Sequence, residues 1–275
     1  MPLLKVKNSI KNMETNINFS INRLMQICRQ SWIINRKLIG ITVSGFSGLV
    51  FLILILSQIK SYTNWSNNNY MLAFTILFFS TGIIYSSLSF PAFRMKEKTI
   101  SYLLLPAATS EKFTFEVVTR IVIFLVVMPF LFWLMANIEG IVMHYYKPEF
   151  LSYKFSLITG LQSFTREGNV KGWTTLAIIQ GVLFVFITSF TGASYFSKSP
   201  LVKTLFSVSI IMGSYALFTY LLIKGLKLEE YTITSDRLLF IHNEKDAMIF
   251  SSLAITTVNI CLLAISYFRL KEREV

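Results

Sequence analysis

Residues 121–138 read IVIFLVVMPFLFWLMANI and contain no charged side chain. A helix of about 20 mainly apolar residues is long enough to cross a hydrocarbon core of about 30 Å, so this stretch and its flanking residues are predicted to form a span. Five further stretches of similar length and character alternate with shorter polar segments. The predicted spans lie at about 38–58, 70–93, 118–139, 173–195, 201–223 and 247–268.

These spans predict the fold class: an all-α, polytopic membrane protein with six transmembrane helices and an N-terminal interfacial amphipathic helix. The spans must be helices, because lipid offers no hydrogen-bond partner to an open backbone. Hydrophobic residues make up 53% of the 275 residues and charged residues only 15%, less than a soluble domain carries. The loops are too short for a separate domain, so any catalytic domain would belong to another chain.

The net charge of +12 is distributed unevenly. About 17 of the 26 Lys and Arg residues fall on the side of the membrane that holds the N-terminus, and about 9 on the other side. The positive-inside rule then places both termini in the cytoplasm, consistent with an even number of spans. The charge indicates topology and attraction to anionic lipid headgroups rather than nucleic-acid binding. The abundance of Lys, Asn, Ile and Phe suits an AT-rich bacterial genome, and we expect the protein in the inner (cytoplasmic) membrane of a bacterium.

Residues 1–37 are predicted to form a cytoplasmic tail and an amphipathic helix ahead of the transmembrane domain at 38–268. From about residue 17, apolar residues recur every three or four positions on one face: Ile17, Ile21, Leu24, Cys28 and Trp32. Basic residues, with Trp at the apolar margin, are typical of a helix in the membrane interface. The alternative is a cytoplasmic helix packed on the bundle. A second cytoplasmic tail is expected at 269–275.

The chain offers few residues for catalysis. Residues 45–48, GFSG, match the GxSG pattern of intramembrane serine proteases, but the two histidines that could act as a base, His144 and His242, fall in predicted outside segments. Neither histidine belongs to a set with a recognisable metal-site spacing. The dipeptide Gly-Lys of a P-loop does not occur. We therefore predict no catalytic, cofactor-binding or metal-binding residue, and no enzymatic activity of the chain's own.

Polar and small residues within the spans are interpreted mainly as positions for helix packing and interhelical hydrogen bonds. They are Gln180, Gly181, Gly213, Ser214 and Asn259. For these five residues, a lining for a substrate path is the alternative. Gly45 and Gly48 are likewise expected at close helix contacts. Arg120, Glu139 and Asp246 lie near span ends, where we expect them to reach headgroups or water. This placement argues against a proton- or sodium-coupled carrier.

The segment between the second and third spans, residues 90–117, carries the most information. Charged residues at 94–98 precede Thr99 and a leucine run, and Pro106 ends the run. This order predicts a short amphipathic helix that stops at the proline, and a new helix that starts near Ser110. Such an elbow, charged on one side and apolar on the other, is a candidate docking surface for a soluble partner. The alternative is an ordinary interfacial connector.

The elbow resembles the first cytoplasmic loop of ABC-2-type exporter permeases, in which a charged segment precedes Thr, a leucine-rich turn and Pro. The order of spans is similar too, and residues 19–37 resemble the start of permease-like membrane proteins of Bacteroidota. Lys98 stands where the family often has Gly, and Ala108 where it often has Ser. The resemblance implies coupling to an ATPase through five residues that are not catalytic: Glu97, Thr99, Leu103, Leu104 and Pro106.

The resemblance further implies partners: a separate ABC ATP-binding subunit, and a second permease in a homodimer or heterodimer. The predicted function is therefore the membrane-spanning permease subunit of an ABC-type exporter, held in the lipid bilayer, with no cofactor and no nucleic-acid partner. A non-transporting scaffold or assembly factor of the cell envelope is the alternative, and contacts between the elbow and an ATPase would separate the two. The substrate is left open.

Overall fold

The computed structural model describes residues 19–61, 65–94, 107–146, 155–163, 171–225 and 244–274. None of these residues lies in a β-strand, and nearly all of them lie in helices. The helices are α1 Ile21–Ser61, α2 Asn67–Ser87, α3 Thr109–Tyr146, α4 Leu157–Ser163, α5 Lys171–Tyr195, α6 Pro200–Gly225 and α7 Glu244–Glu274, with a 3-10 turn at Pro91–Arg94 after α2.

Six of the described helices, all except the short α4, are long and apolar enough to cross a membrane. The predicted fold class is thereby confirmed: the chain is an all-α, polytopic membrane protein. Arg23 at the start of α1 bonds to Glu111 at the start of α3, while Tyr70 near the start of α2 bonds to Glu139 near the end of α3. We call the end of the bundle that holds Arg23 and Glu111 the near end, and the end that holds Tyr70 and Glu139 the far end.

The predicted amphipathic helix and the first predicted span form one continuous helix, α1, from Ile21 to Ser61. The predicted boundary near residue 37 is therefore not a break in the structure. Trp32, expected at the apolar margin of an interfacial helix, is exposed, whereas Leu24 and Cys28 are half-buried. Charged residues in this part of the chain end the hydropathy signal but not the helix, because its hydrogen bonds are made by the backbone.

α2 ends at Ser87, earlier than the predicted residue 93. Phe90 has a positive φ of 54° and precedes Pro91. The residue before a proline is driven out of the right-handed helical region, so the helix cannot continue through this point. The same device shapes the short turn between α5 and α6, where Ser199 has a φ of 50° and Pro200 is the first residue of α6.

α3 is longer than the predicted span 118–139 at both ends, since it begins at Thr109 and ends at Tyr146. Residues Val118–Val122 form a π-helical turn within it. Here the carbonyl of Thr119 accepts a hydrogen bond from the Tyr85 hydroxyl of α2 at 3.4 Å. π turns of this kind often lie at functional sites, and this one lies between the near end and the apolar part of α3.

α2, α3 and α5 pack around a core of aromatic rings. The ring of Phe78 on α2 lies 5.3 Å from that of Phe186 on α5 and 5.6 Å from that of Phe124 on α3, measured between centroids. Gly82 permits this approach, because a Cβ there would collide with the rings of Phe186 and Phe124. Rings at these separations attract each other beyond simple area burial and fix the three helices together.

α5 and α7 run side by side and are joined by polar side chains. Gln180 donates through Nε2 to the Thr256 hydroxyl at 2.6 Å and accepts at Oε1 from the Ser252 hydroxyl at 2.8 Å. The carbonyl of Gln180 accepts from the Asn259 amide at 3.3 Å. The interpretation of Gln180 and Asn259 as interhelical hydrogen-bonding residues is confirmed.

The close helix contacts of the described residues are not where the sequence predicted them. Open space surrounds the Cβ position of four glycines that were expected at such contacts: Gly45, Gly48, Gly181 and Gly213. Besides Gly82, a tight approach occurs at Gly192, where a Cβ would collide with Thr204 of α6. The prediction for the four glycines is wrong for contacts within the described chain, because glycine content alone does not say which face meets a neighbour.

α6 is the most exposed spanning helix. Only 6% of the most apolar 18-residue stretch of α6 is buried, compared with 11% of the corresponding stretch of α1 and 39% of that of α2. Its exposed apolar side chains include Phe206, Ile210, Ile211, Tyr215 and Phe218. These surfaces are available to lipid or to another membrane subunit.

Candidate functional site

The candidate functional site is the elbow between α2 and α3, together with its supports at the near end. Outside the described residues lie the five predicted coupling residues, Glu97, Thr99, Leu103, Leu104 and Pro106. Both flanks of the elbow are described: the chain enters it through Phe90 and Pro91–Arg94, and leaves it through residues 107–108 into α3. How these flanks are held decides which helices a force on the elbow would reach.

Glu116 of α3 holds the entry flank. Its carboxylate accepts the backbone N–H of Phe90 at 3.4 Å and pairs with Arg120, one turn further along α3, at 3.5 Å. The guanidinium of Arg120 in turn lies 5.0 Å from the ring centroid of Tyr85 on α2. The Phe90 side chain is buried, with its ring 5.0 Å from that of Phe190 on α5. Arg120 therefore joins α2 to α3 and does not simply extend towards headgroups, as the sequence had suggested.

Glu111 of α3 holds the exit flank and also the start of α1. Its Oε2 accepts the backbone N–H of Ala108, the residue before α3, at 3.1 Å, as an acidic residue at the third position of a helix often does. Its Oε1 accepts the backbone N–H of Ser20 at 2.7 Å and pairs with Arg23 at 3.0 Å. Glu111 is fully buried, and the Arg23 side chain is 35% exposed. Hydrogen bonds to an ionised carboxylate are stronger than neutral ones, so this junction is firm.

Two buried carboxylates on one helix thus fix both ends of the elbow. Glu111 and Glu116 stand five positions apart near the start of α3, and both are at most 5% exposed. Through Glu116 the entry flank is tied to α3, and through Glu111 the exit flank is tied to α3 and α1. A displacement of residues 95–106 would therefore act on α1, α2 and α3 together.

The end of α7 reaches the same region. Arg273 donates to the carbonyl of Tyr195 at 3.1 Å, and its guanidinium lies 5.2 Å from the ring centroid of Phe93 in the turn that enters the elbow. Residues 269–274 continue α7, so most of the predicted tail at 269–275 is helix. The near end therefore gathers the elbow flanks and the ends of α5 and α7.

The far end holds a buried acid that the sequence analysis assigned to the membrane surface. Glu139 is 0% exposed, and its Oε2 accepts a hydrogen bond from the Tyr70 hydroxyl at 2.6 Å. The expectation that Glu139 reaches headgroups or water is wrong. It lies near the end of the predicted span, but α3 continues to Tyr146, and Phe155, which follows α3 in the chain, packs against Tyr70, the partner of the acid.

We call Phe155 and the short helix α4, which lie beside Tyr70 and the start of α2, the cover. The Phe155 ring is buried, 5.6 Å from Tyr70 and 5.4 Å from Phe132 between centroids. Asn67 of α2 holds the following residue, accepting from the Ser156 N–H at 3.2 Å and donating to the Ser156 carbonyl at 3.3 Å. α4 is thereby attached to the start of α2.

A groove of about 600 Å³ lies on the outer surface between α1 and α2. It is lined by Ile53, Ser57, Trp65, Asn69, Leu72, Ala73, Ile76 and Leu77. The lining is mainly apolar and the groove opens to the side of the bundle, where a membrane supplies acyl chains. Its lining residues on α1 and α2 lie in the halves of these helices nearest the far end.

The residues of the protease-like motif have ordinary helical surroundings. Ser47 donates its hydroxyl to the carbonyl of Val43, one turn earlier in α1, at 2.8 Å. His144 is exposed near the end of α3. Serine hydroxyls in helices commonly make this bond to their own backbone, so it needs no catalytic role.

Sequence reasoning missed Glu111, Glu116 and the partners of Glu139. One local signal was present, because Arg120 follows Glu116 by four positions, the spacing of an ion pair along a helix. Nothing local connects Glu111 to Arg23, since 88 positions separate them in the chain. Comparison of the chain with protein-family models, with curated proteins and with solved structures finds no match.

Proposed function

We propose that this protein is the permease subunit of an ABC-type exporter, moved by a separate ATP-binding subunit that docks on the elbow. The observation that carries the proposal is the way Glu111 and Glu116 hold the two flanks of residues 95–106. An ordinary connector needs no such attachment. A docking segment that transmits movement does need it, because displacement of a loose loop would be absorbed before it reached the spans.

The aromatic core supports a pathway between subunits rather than through one. Phe78, Phe124 and Phe186 fill the space between α2, α3 and α5, so the described part of one chain leaves no polar path along this core. A second permease, identical or different, would pack against the exposed helices. The most exposed of these is α6, with only 6% of its most apolar 18-residue stretch buried. The lipid bilayer would cover the remaining apolar surface.

The proposed location of the protein is the inner membrane of a bacterium, with the near end of the bundle and both termini in the cytoplasm. Arg23 and Arg273 lie together with the elbow flanks at the near end, so the start of α1 and the end of α7 share one side. Basic residues there satisfy the positive-inside rule. The elbow would then face cytoplasmic ATP.

The test is gentle purification of the tagged full-length protein from its native membrane, followed by mass spectrometry of what accompanies it. We expect a stoichiometric P-loop ATPase that is lost from the double variant Glu97→Ala, Pro106→Ala. Lys271→Ala is the matched control, since Lys271 is an exposed charge near the same end of the bundle. Loss of the ATPase from the elbow variant alone supports the proposal.

A preparation that contains no ATPase, or other envelope proteins instead, would refute the exporter proposal. The closed aromatic core would then favour the other candidate, a non-transporting scaffold or assembly factor, because a scaffold needs no pathway. An ATPase that remains bound to both variants would leave the exporter class in place but would exclude the elbow as its docking site.

A further inference from the structure

A second site at the far end is not explained by an ATP-driven permease. Glu139 lies on α3, fully buried, with Oε2 accepting from the Tyr70 hydroxyl at 2.6 Å. Its other carboxyl oxygen, Oε1, is buried and makes no hydrogen bond within the described residues. A buried acid with an open oxygen atom is rare, and within a membrane helix it usually marks a path or binding site for ions or protons.

The surroundings of Glu139 do not offer it a compensating cation in the described part of the chain. From α2 the contacting group is the hydroxyl of Tyr70, and from the segment before α4 it is the ring of Phe155 against Tyr70. α1, which packs along α3, brings the uncharged Gln58 and an exposed Lys60 near its far end. On α3 itself the next titratable side chain, His144, is exposed. Among the described residues, a negative charge on Glu139 would therefore be buried without a counter-charge, which is costly.

We propose that Glu139 and Tyr70 form a proton-binding site at the far end, closed by Phe155 and α4. Glu139 holds its proton on Oε1 as a neutral carboxylic acid, while Oε2 accepts the hydrogen bond from Tyr70. When the cover opens, the Oε1–H bond breaks, the proton passes to a water molecule, and a carboxylate remains. Closure requires that the proton return.

The cover is built so that it can open. It is attached to α2 by two hydrogen bonds between Asn67 and the backbone of Ser156, at 3.2 and 3.3 Å. A further bond of 3.5 Å joins the Asn137 amide to the carbonyl of Phe155. Water can replace each of these bonds, whereas it cannot replace the burial of the Phe155 ring. Loss of the Asn67 bonds would therefore raise the population of the open state.

This site does not depend on the identity of the partner at the near end. A scaffold with a proton site would remain possible if no ATPase were found, and an ATP-driven exporter would remain possible if Glu139 held no proton. The two proposals therefore fail independently.

Infrared spectroscopy of the full-length protein in lipid nanodiscs at neutral pH tests the protonation. We expect the carbonyl band of a protonated carboxylic acid, absent from Glu139→Gln and retained in Glu272→Gln, whose carboxylate is on the surface. Tyr70→Phe should keep the band but move it, because the acid loses its hydrogen bond. This variant serves the test even if Glu139→Gln does not fold. If Glu139→Gln removed carboxylate bands and left the acid band in place, the proposal would be overturned. An acid band that did not move in Tyr70→Phe would overturn it as well.

Exchange of the acid proton for deuterium tests the cover. Asn67→Ala should speed the shift of the acid band in D2O about tenfold, because two hydrogen bonds that hold the cover closed are lost. Asn68→Ala is the matched control, since Asn68 is the exposed neighbour of Asn67 at the start of α2. Equal exchange rates in the two variants would show that α4 does not close the site.

Discussion

Replacement of Glu111 by Gln tests the junction that joins α1, the elbow and α3. The change keeps the shape of the side chain but removes its charge and one of its two acceptor oxygens. In the protein, Oε1 serves Ser20 and Arg23 while Oε2 serves Ala108. A glutamine has one acceptor oxygen, so it can accept either from Ser20 and Arg23 or from Ala108. Its NH2 group would then face an N–H donor at the other position.

The expected cost follows from the least damaging placement of the amide. If the amide oxygen takes the place of Oε1, the N–H of Ala108 loses its acceptor, which costs about 1–2 kcal/mol for a part-buried backbone group. The bonds to Ser20 and Arg23 become bonds to a neutral acceptor, a further loss of about 1 kcal/mol. The free energy of unfolding should therefore fall by about 2–3 kcal/mol. The Arg23 guanidinium adds little to this loss of stability, because its side chain is 35% exposed and can hydrogen-bond to water instead.

The assay is reversible unfolding of the purified protein in mixed micelles titrated with sodium dodecyl sulfate, followed by tryptophan fluorescence. Glu272→Gln is the control, because Glu272 also pairs with an arginine, Arg269 at 2.6 Å, but with 63% of its side chain exposed. An exposed pair contributes little, so the control should change the unfolding free energy by less than about 0.5 kcal/mol. If Glu111→Gln cost no more than Glu272→Gln, Glu111 could not be the junction described above.

Three further outcomes are expected. Gly82→Ala should destabilise the protein in the same assay by about 1–3 kcal/mol, because the new methyl group collides with core rings, whereas Gly181→Ala should be neutral, as its surroundings are open. Gln180→Leu should cost about 1–2 kcal/mol through the loss of interhelical hydrogen bonds to α7, and a neutral result would mean that these bonds are replaced. Cys28 should react with a membrane-impermeant thiol reagent only after the cells are opened, whereas a cysteine placed at the exposed Asn68 should react in intact cells. The reverse pattern would invert the proposed orientation.

The sequence predicted the spanning helices well and their ends poorly. Each span was visible because a run of apolar residues is what lipid requires, whatever the fold around it. The ends of α1 and α3 were not visible, because polar residues continue a helix as readily as apolar ones once the backbone bonds are made. The end of α2 at Ser87 had a readable cause in the proline at position 91, which the hydropathy pattern hid.

The functional geometry was harder to predict, because it depends on partners distant in sequence. Glu111 was recognisable as a residue near the start of a helix, but its pairing with Arg23 follows from the parallel packing of α1 and α3. Glu139 looked superficial because it closes an apolar run. Its partner Tyr70 comes from α2 and packs against Phe155, which follows α3 in the chain. Only the elbow was predicted as a site from the sequence, and its coupling role stays a prediction.

α3 connects the two sites, and this connection limits how the protein can move. Glu111 and Glu139 are separated by about 42 Å along α3 at 1.5 Å per residue. A helix is stiff along its axis, so a displacement of the elbow would reach the acid at the far end unless some part of α3 absorbed it. The π turn at Val118–Val122 lies in the path, and it is tied to α2 through Tyr85. Movement that passes the turn would shift Glu139 against Tyr70, while movement absorbed there would leave the proton site undisturbed. Proton exchange at Glu139 therefore reports whether the two ends are mechanically coupled.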